Sequence, residues 1–306
     1  MSDIKLFHIG QNKVTELKGF SSKIEKSLQT LIESNLDAYL GVRFLASEYR
    51  TGANHGGIMD TLGIDENGSP VIIEYKRSMN ENVINQGLFY LDWLMDHKAD
   101  FELLVLRKLG REESERIDWL NPRLLCIAGD FTKYDEHAVK QMNRNIELLR
   151  YRKFGENLLL LELVNVAEAK PDPAAENTAK APSKKKIEYK TITDHLETAS
   201  PELLDMYYSV RDYALNLGED VQEKTLKYYI AFKRIKNFTC VEIYTQSNKL
   251  QLYLKINPDE IDLEEGFTRD VRNIGHFGTG DLEVTIRNQN DLQKAEPLIL
   301  RSYESS

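Results

Sequence analysis

The chain has 306 residues, enough for two ordinary domains that each bury a core. Its formal net charge is −9, shared between both halves, so it is a poor non-specific nucleic-acid binder and any contact with phosphates has to be local or bridged by a metal ion. No stretch approaches the roughly 18–20 apolar residues of a membrane span, the start lacks the apolar run of a signal peptide, and Cys126 and Cys240 lie far apart and read as reduced thiols, so the expectation is a cytoplasmic protein.

Residues 4–16 predict a short hairpin turning at Gly10-Gln11-Asn12. Ser22-Lys23-Ile24-Glu25 has the spacing of a capping box and opens a predicted helix to about Tyr39, with Ile24, Leu28, Leu31, Ile32, Leu36 and Tyr39 as its apolar stripe. Glu33 lies at the edge of that stripe, where a solvated side chain is the simpler reading; Asn35 falls inside it. A strand over 42–49 follows, then a loop over 50–57 in which His55, among glycines and a few residues ahead of Asp60, could reach a metal or a phosphate, a plain loop histidine being the simpler reading.

The stretch from Gly56 to Lys76 reads as two apolar strands joined by a tight turn. Asn67-Gly68 supplies the positive φ that a three-residue hairpin loop with a bulge requires. With Glu66, Asn67 and Gly68 as the loop, Asp65 pairs with Ser69 and Asp60 falls opposite Glu74; a four-residue loop would shift the register by one. Directly opposed side chains have Cβ atoms roughly 4.5–5.5 Å apart, and like charges there destabilise a sheet. A divalent cation would compensate. Lys76, two residues beyond Glu74, belongs on the same face by strand alternation. Two carboxylates and a lysine together suit metal-assisted phosphodiester hydrolysis; the plainer alternative is a Glu74–Lys76 surface pair beside an unrelated aspartate.

A helix over 80–97 comes next, with Ile84, Leu88, Leu91 and Met95 as its core line and Gln86, Tyr90, Trp93 and His97 on the far side. Trp93 there means a partner surface, and with it self-association as a homodimer, or the wall of a cleft, or simply a ring covered by another element. Then come a strand over 101–107, a charged connector over 111–118, a buried strand over 123–128, a helix over 135–143, and a hairpin of 147–152 and 157–164. These make a mixed α/β sheet flanked by helices over residues 1–167.

Residues 168–189 are rich in Ala, Pro, Lys, Asn and Glu and read as a linker. The second domain, 190–306, predicts a smaller α+β module. It has a helix from Ser200-Pro201 to Gly218, strands over 226–233, 238–245, 250–256 and 282–286, and a terminal helix over 291–303. Lys233, Arg234 and Lys236 crowd one turn near Tyr228 and Tyr229, a set suited to a nucleic-acid backbone. The glycine-rich run 275–280 matches no phosphate-loop spacing.

At Asp60, Glu74-Tyr75-Lys76 and Gln86…Tyr90 the first domain resembles the PD-(D/E)XK nuclease superfamily, closest to the branch with NucS-like endonucleases and RecB-type nuclease domains. The resemblance covers about residues 20–165. It implies a restriction-endonuclease-like fold and a Mg²⁺- or Mn²⁺-dependent endonuclease acting on DNA in repair, restriction or defence. By that resemblance Asp60 and Glu74 would ligate the metal and Lys76 would orient the attacking water. Glu33 would match a helix glutamate that some members add, and Gln86 and Tyr90 a helix pair beside the site. Met59 stands where the motif's name has Pro, and Ile58 where similar chains often carry an arginine. Residues 190–304 resemble a small domain of unknown function. The alternative to an enzyme is a non-catalytic module that keeps the nuclease fold to bind nucleic acid or protein.

Overall fold

The structure, a computed structural model, describes residues 4–11, 13–20, 25–52, 56–76, 83–167 and 191–306. The chain divides into two compact units, 1–179 and 180–306. The division falls inside the segment expected as a linker, which lies outside the described residues, as do Ser22 to Ile24 of the expected capping box.

The first unit opens with an exposed antiparallel hairpin, β1 (Leu6–Ile9) and β2 (Val14–Leu17), followed by a short β3 (Gly19–Phe20). Two helices come next, α1 (Glu25–Glu33) and α2 (Leu36–Leu40), in place of the single predicted helix. The break falls at Ser34-Asn35, where the Ser34 hydroxyl donates to the Thr30 carbonyl and Asn35 leaves the helical region with φ −141°. Short polar side chains of this kind compete with the backbone for its own hydrogen bonds. Asn35 is exposed.

Strands β4 (Val42–Arg50), β5 (Ile58–Asp65) and β6 (Pro70–Lys76) form an antiparallel meander. Helices α3 (Val83–Asp96), α4 (Lys98–Leu109) and α5 (Arg111–Glu115) lead to β7 (Arg123–Ala128), parallel to β6. Helix α6 (Lys133–Lys140) leads to β8 (Asn145–Phe154), parallel to β7, and β9 (Leu158–Ala167) returns antiparallel along β8. The sheet runs β3-β8-β7-β6-β5-β4, with β9 also on β8.

Both faces are covered. Leu62, Ile64, Ile72, Leu124 and Leu148 share a core with Ile84, Leu91 and Leu94 of α3. The opposite face takes α2, since a Cβ on Gly63 would meet Leu36 at 3.7 Å. Strand β7 is accordingly buried at every residue, as a doubly covered strand must be.

The expected strand over 101–107 is helix α4. Its apolar run, Phe101, Leu103, Leu104, Val105 and Leu106, fits either period. Only Phe101 and Val105 are buried, four residues apart on one face, while Leu103 and Leu106 stay exposed. Arg107 and Lys108 in the last turn suit the negative helix end. Part of the expected connector is α5. Trp93 is buried, its ring stacked on His97 at 4.3 Å and beside Tyr49 at 5.9 Å. Of the alternatives for Trp93, the covered ring is the one that forms, so Trp93 itself offers no surface to a partner.

The hairpin turn forms as the sequence dictates. Asp65 N–H donates to the Ser69 carbonyl at 2.9 Å, and Gly68 has φ +81°. The Asp65 carboxylate also accepts from the amides of Asn67 and Ser69. A Cβ on Gly68 would lie 2.7 Å from the Arg116 carbonyl oxygen. Gly68→Ala is expected to cost about 2 kcal/mol or more, from left-handed strain and this collision, read as a lower unfolding midpoint in urea.

The second unit begins with α7 (Ile192–Thr198) and α8 (Pro201–Leu215), the latter capped by the Ser200 hydroxyl. Six antiparallel strands follow: β10 (Gln222–Thr225), β11 (Ile230–Lys233), β12 (Asn237–Tyr244), β13 (Lys249–Leu254), β14 (Thr268–Asp270) and β15 (Leu282–Ile286). Their order in the sheet is β10-β11-β12-β13-β15-β14. The terminal helix α9 (Gln289–Glu304) and α8 cover one face, where Leu203, Val210, Phe232, Val241, Leu252 and Ile299 form the core. Among the described residues no helix is long and apolar enough to cross a membrane.

Candidate active site

Strands β5 and β6 pair through Ile64↔Pro70, Gly63↔Val71, Leu62↔Ile72 and Thr61↔Ile73. The next pair in this register is Asp60 and Glu74. There the ladder gives way to side-chain bridges: Asp60 N–H donates to Glu74 Oε1 at 3.2 Å, and Tyr75 N–H donates to Asp60 Oδ2 at 2.9 Å. Each acidic side chain thus takes the place of a lost ladder carbonyl on the opposing strand. The three-residue loop 66–68 sets this arrangement from a distance by fixing the register.

Glu74 is fully buried, and its Oε2 has no hydrogen-bond partner among the described residues. Burial, reinforced by the charge of Asp60, pushes its carboxyl up to about 8; the Asp60 amide and Lys76 pull the other way without prevailing. Lys76 is half-buried at the end of β6. A buried carboxylate with one idle oxygen beside a second carboxylate is costly as it stands. The donor set is all oxygen, which suits a hard cation.

Glu33, expected to be solvated or to join the site, is drawn toward the same fork from α1. Its Oε1 accepts from the Thr61 hydroxyl at 2.6 Å and from Gln29 Nε2 at 2.9 Å. The Gln29 amide also donates to the Asp60 carbonyl at 2.8 Å and the Ser47 hydroxyl at 3.1 Å. It therefore ties α1 to β4 and β5 at the carboxylate position. Even so, among the described residues no three His, Cys, Asp or Glu converge closely enough to hold a metal ion.

Gln86 and Tyr90 sit on α3 where it meets the start of β5. Gln86 Nε2 donates to the Tyr90 hydroxyl at 3.0 Å, and that hydroxyl accepts the Ile58 amide at 3.2 Å. Tyr90 is buried, with its ring against Gly57, where a Cβ would come within 2.4 Å. The pair anchors the strand two residues ahead of Asp60 and does not touch the carboxylates. Sequence reasoning missed Gln29 and Thr61. The signal for Gln29 was its spacing of four from Glu33 on one helix; Thr61 gave none.

His55 lies outside the described residues. In the second unit, Lys233 is only 2 % exposed, because β11 is an interior strand buried at every residue. It offers no charge to a polynucleotide, contrary to expectation. Arg234 is ion-paired with Asp220 at 2.6 Å and lies over the Tyr303 ring, and Lys236 is half-buried in the same turn. The glycine-rich run is a turn whose Gly278 packs against Cys240, with His276 stacked on Tyr253.

Residues 192–306 match a family described as Domain of unknown function (DUF5655). A Haemophilus influenzae protein described as uncharacterized is 30% identical over 307 residues, an alignment that covers 98% of this chain and all of that one. The two chains belong to one family. Among solved structures, a repair endonuclease from Pyrococcus abyssi aligns with a TM-score of 0.29 and 20% identity, over 45% of this chain and 51% of that one. The EndoMS–double-stranded DNA complex aligns with a TM-score of 0.25 and 14% identity, over 48% of this chain and 64% of that one.

Proposed function

We propose that the N-terminal unit is a divalent-metal-dependent endonuclease of the PD-(D/E)XK kind, hydrolysing phosphodiester bonds in DNA. The observation that carries this reading is the fork between β5 and β6, where Asp60 and Glu74 replace the backbone ladder and Glu74 Oε2 stands buried without a partner among the described residues. The order Asp, then Glu-x-Lys on the next strand, then Gln-x-x-x-Tyr on the next helix supports it from the sequence.

Asp60 and Glu74 would hold Mg²⁺ or Mn²⁺. Two carboxylates are enough for Mg²⁺, which keeps several waters and takes further oxygens from substrate phosphates, so a third acidic ligand is not required. Such an ion polarises a phosphoryl oxygen and lowers the pKa of bound water. The protein's own part is positioning. The Tyr75 amide fixes one Asp60 oxygen, and the Asp60 amide fixes one Glu74 oxygen, leaving Glu74 Oε2 for a ligand. Lys76 would orient the water on the strand end beside them, and Gln29 and Thr61 hold Glu33 facing the fork. A non-catalytic binding module remains the second reading, favoured by the acidic net charge.

Single-stranded, duplex and branched DNA should be offered to the full chain with Mg²⁺ or Mn²⁺, beside Lys76→Ala and Asp60→Ala. The wild type is expected to cut at least one of them, and each variant to lose about 10²–10⁴-fold in rate. Equal cutting by the variants would refute the site. Binding without cutting by the wild type would establish the binding module.

A further inference from the structure

Beside the fork lies a pair of side chains that the proposed chemistry does not use. Lys26 on α1 is bonded to Glu48 on β4, Nζ to Oε1 at 2.5 Å, and both side chains are more than half exposed. Glu48 falls between the pairs Ser47↔Thr61 and Tyr49↔Met59, which sets it opposite Asp60 on the strand's other edge. Three acidic residues, Glu48, Asp60 and Glu74, thus occupy matching positions on three successive strands.

Glu48 has φ +51°, left-handed backbone in the middle of a strand, which is sterically unfavourable for a residue with a Cβ. Such strain collects at functional sites. An ion pair this exposed contributes little to stability, so the Lys26–Glu48 bond does not by itself account for it. One helical turn beyond Lys26, Gln29 fixes α1 to Ser47 and Asp60, so Lys26 is held at the rim of the acidic fork. The charges of Glu33 and Asp60 act on it along with that of Glu48.

A polyanion approaching this cluster on an acidic protein needs a cation at the point of entry. We propose that Lys26 is that cation: it exchanges Glu48 for a backbone phosphate of the substrate strand and positions the strand over Asp60 and Glu74. Glu48 is the counter-ion that holds Lys26 in place until substrate arrives. This rests on the nuclease reading of the same fork, and it adds that the substrate carries a phosphate beyond the one being cleaved.

The test measures binding of labelled duplex DNA to the full chain with Mn²⁺ over a range of salt, in the Lys76→Ala background so that no strand is cut. Adding Lys26→Gln is expected to weaken binding and to reduce the slope of log Kd against log salt by about 0.7–0.9, one phosphate contact. Lys26→Arg should restore the slope, and Glu48→Gln should tighten binding. In the cleaving enzyme, Lys26→Gln should raise KM and leave kcat nearly unchanged. Mn²⁺ affinity without DNA should not move, which separates strand positioning from a structural role. An unchanged slope in a protein that binds and cuts DNA would overturn the Lys26 assignment alone. A wild type that neither binds nor cuts would overturn both readings together.

Discussion

Arg123→Met is expected to lower the stability of the first unit by about 3–5 kcal/mol, the cost of leaving buried carboxylates without their cation. Arg123 donates from Nε and a terminal nitrogen to the two oxygens of Glu147, each at 2.8 Å, and from its other terminal nitrogen to Asp65 at 2.7 Å. All three side chains are at most 5 % exposed. Burial alone would lower the Arg123 guanidinium, but the charges of Glu147 and Asp65 raise it. Arg123 therefore stays charged across the accessible pH range. Asp65 is also the residue whose other oxygen caps the 66–68 turn. Losing Arg123 strains the device that sets Asp60 opposite Glu74.

The measurement is urea unfolding followed by tryptophan fluorescence. The chain's two tryptophans, Trp93 and Trp119, both lie in the first unit, so the signal reports that unit. Arg123→Met with Glu147→Leu should recover most of the loss, because an apolar pair replaces an unpaired charge and Asp65 keeps its turn amides. A single substitution costing under about 1 kcal/mol would show that water reaches the triad.

The site hairpin was legible in the sequence because its determinants are local. Gly68 had to supply a positive φ, and a three-residue loop then fixes every pair back to Asp60 and Glu74 by counting. Strand β7 was legible for a similar reason, since a short apolar run with charges at its ends leaves few alternatives. Helix α4 was not, because five apolar residues among the six from Phe101 to Leu106 satisfy both periods until the packing selects Phe101 and Val105. Lys233 failed for a different reason. A hairpin turn predicts exposure, but β10 adds a further strand on that side and makes β11 an interior strand. The bonds from Thr61 to Glu33 and from Gln29 to the Asp60 carbonyl depend on α1 landing beside β5, a contact between segments about thirty residues apart with no local signature. What could be counted along the chain was recovered; what depended on which element covers which face was not.

Glu74→Gln is expected to stabilise the metal-free protein at alkaline pH and to leave it nearly unchanged in acid. The carboxyl has an ordinary value near 4.5 in the unfolded chain and about 8 in the fold. Between these values the folded state keeps a proton that the unfolded state releases, so stability falls as pH rises through the window and levels off above about 8. Full ionisation of Glu74 against burial and Asp60 costs on the order of 3–5 kcal/mol, which the neutral amide avoids. The same unfolding assay at about pH 9 and about pH 4 should give a large difference and almost none, respectively. Saturating Mn²⁺ should reverse the order at the higher pH. A cation bound by Asp60 and Glu74 stabilises the wild type by mass action and gives the variant much less. A wild type that gains nothing from Mn²⁺ while the variant shows the alkaline advantage would make Glu74 a buried acid and remove the metal from the proposed chemistry. Reversal by the ion would tie the buried oxygen to a ligand without reference to any cleavage assay, so a loss of cutting in Asp60→Ala could then be read as chemistry.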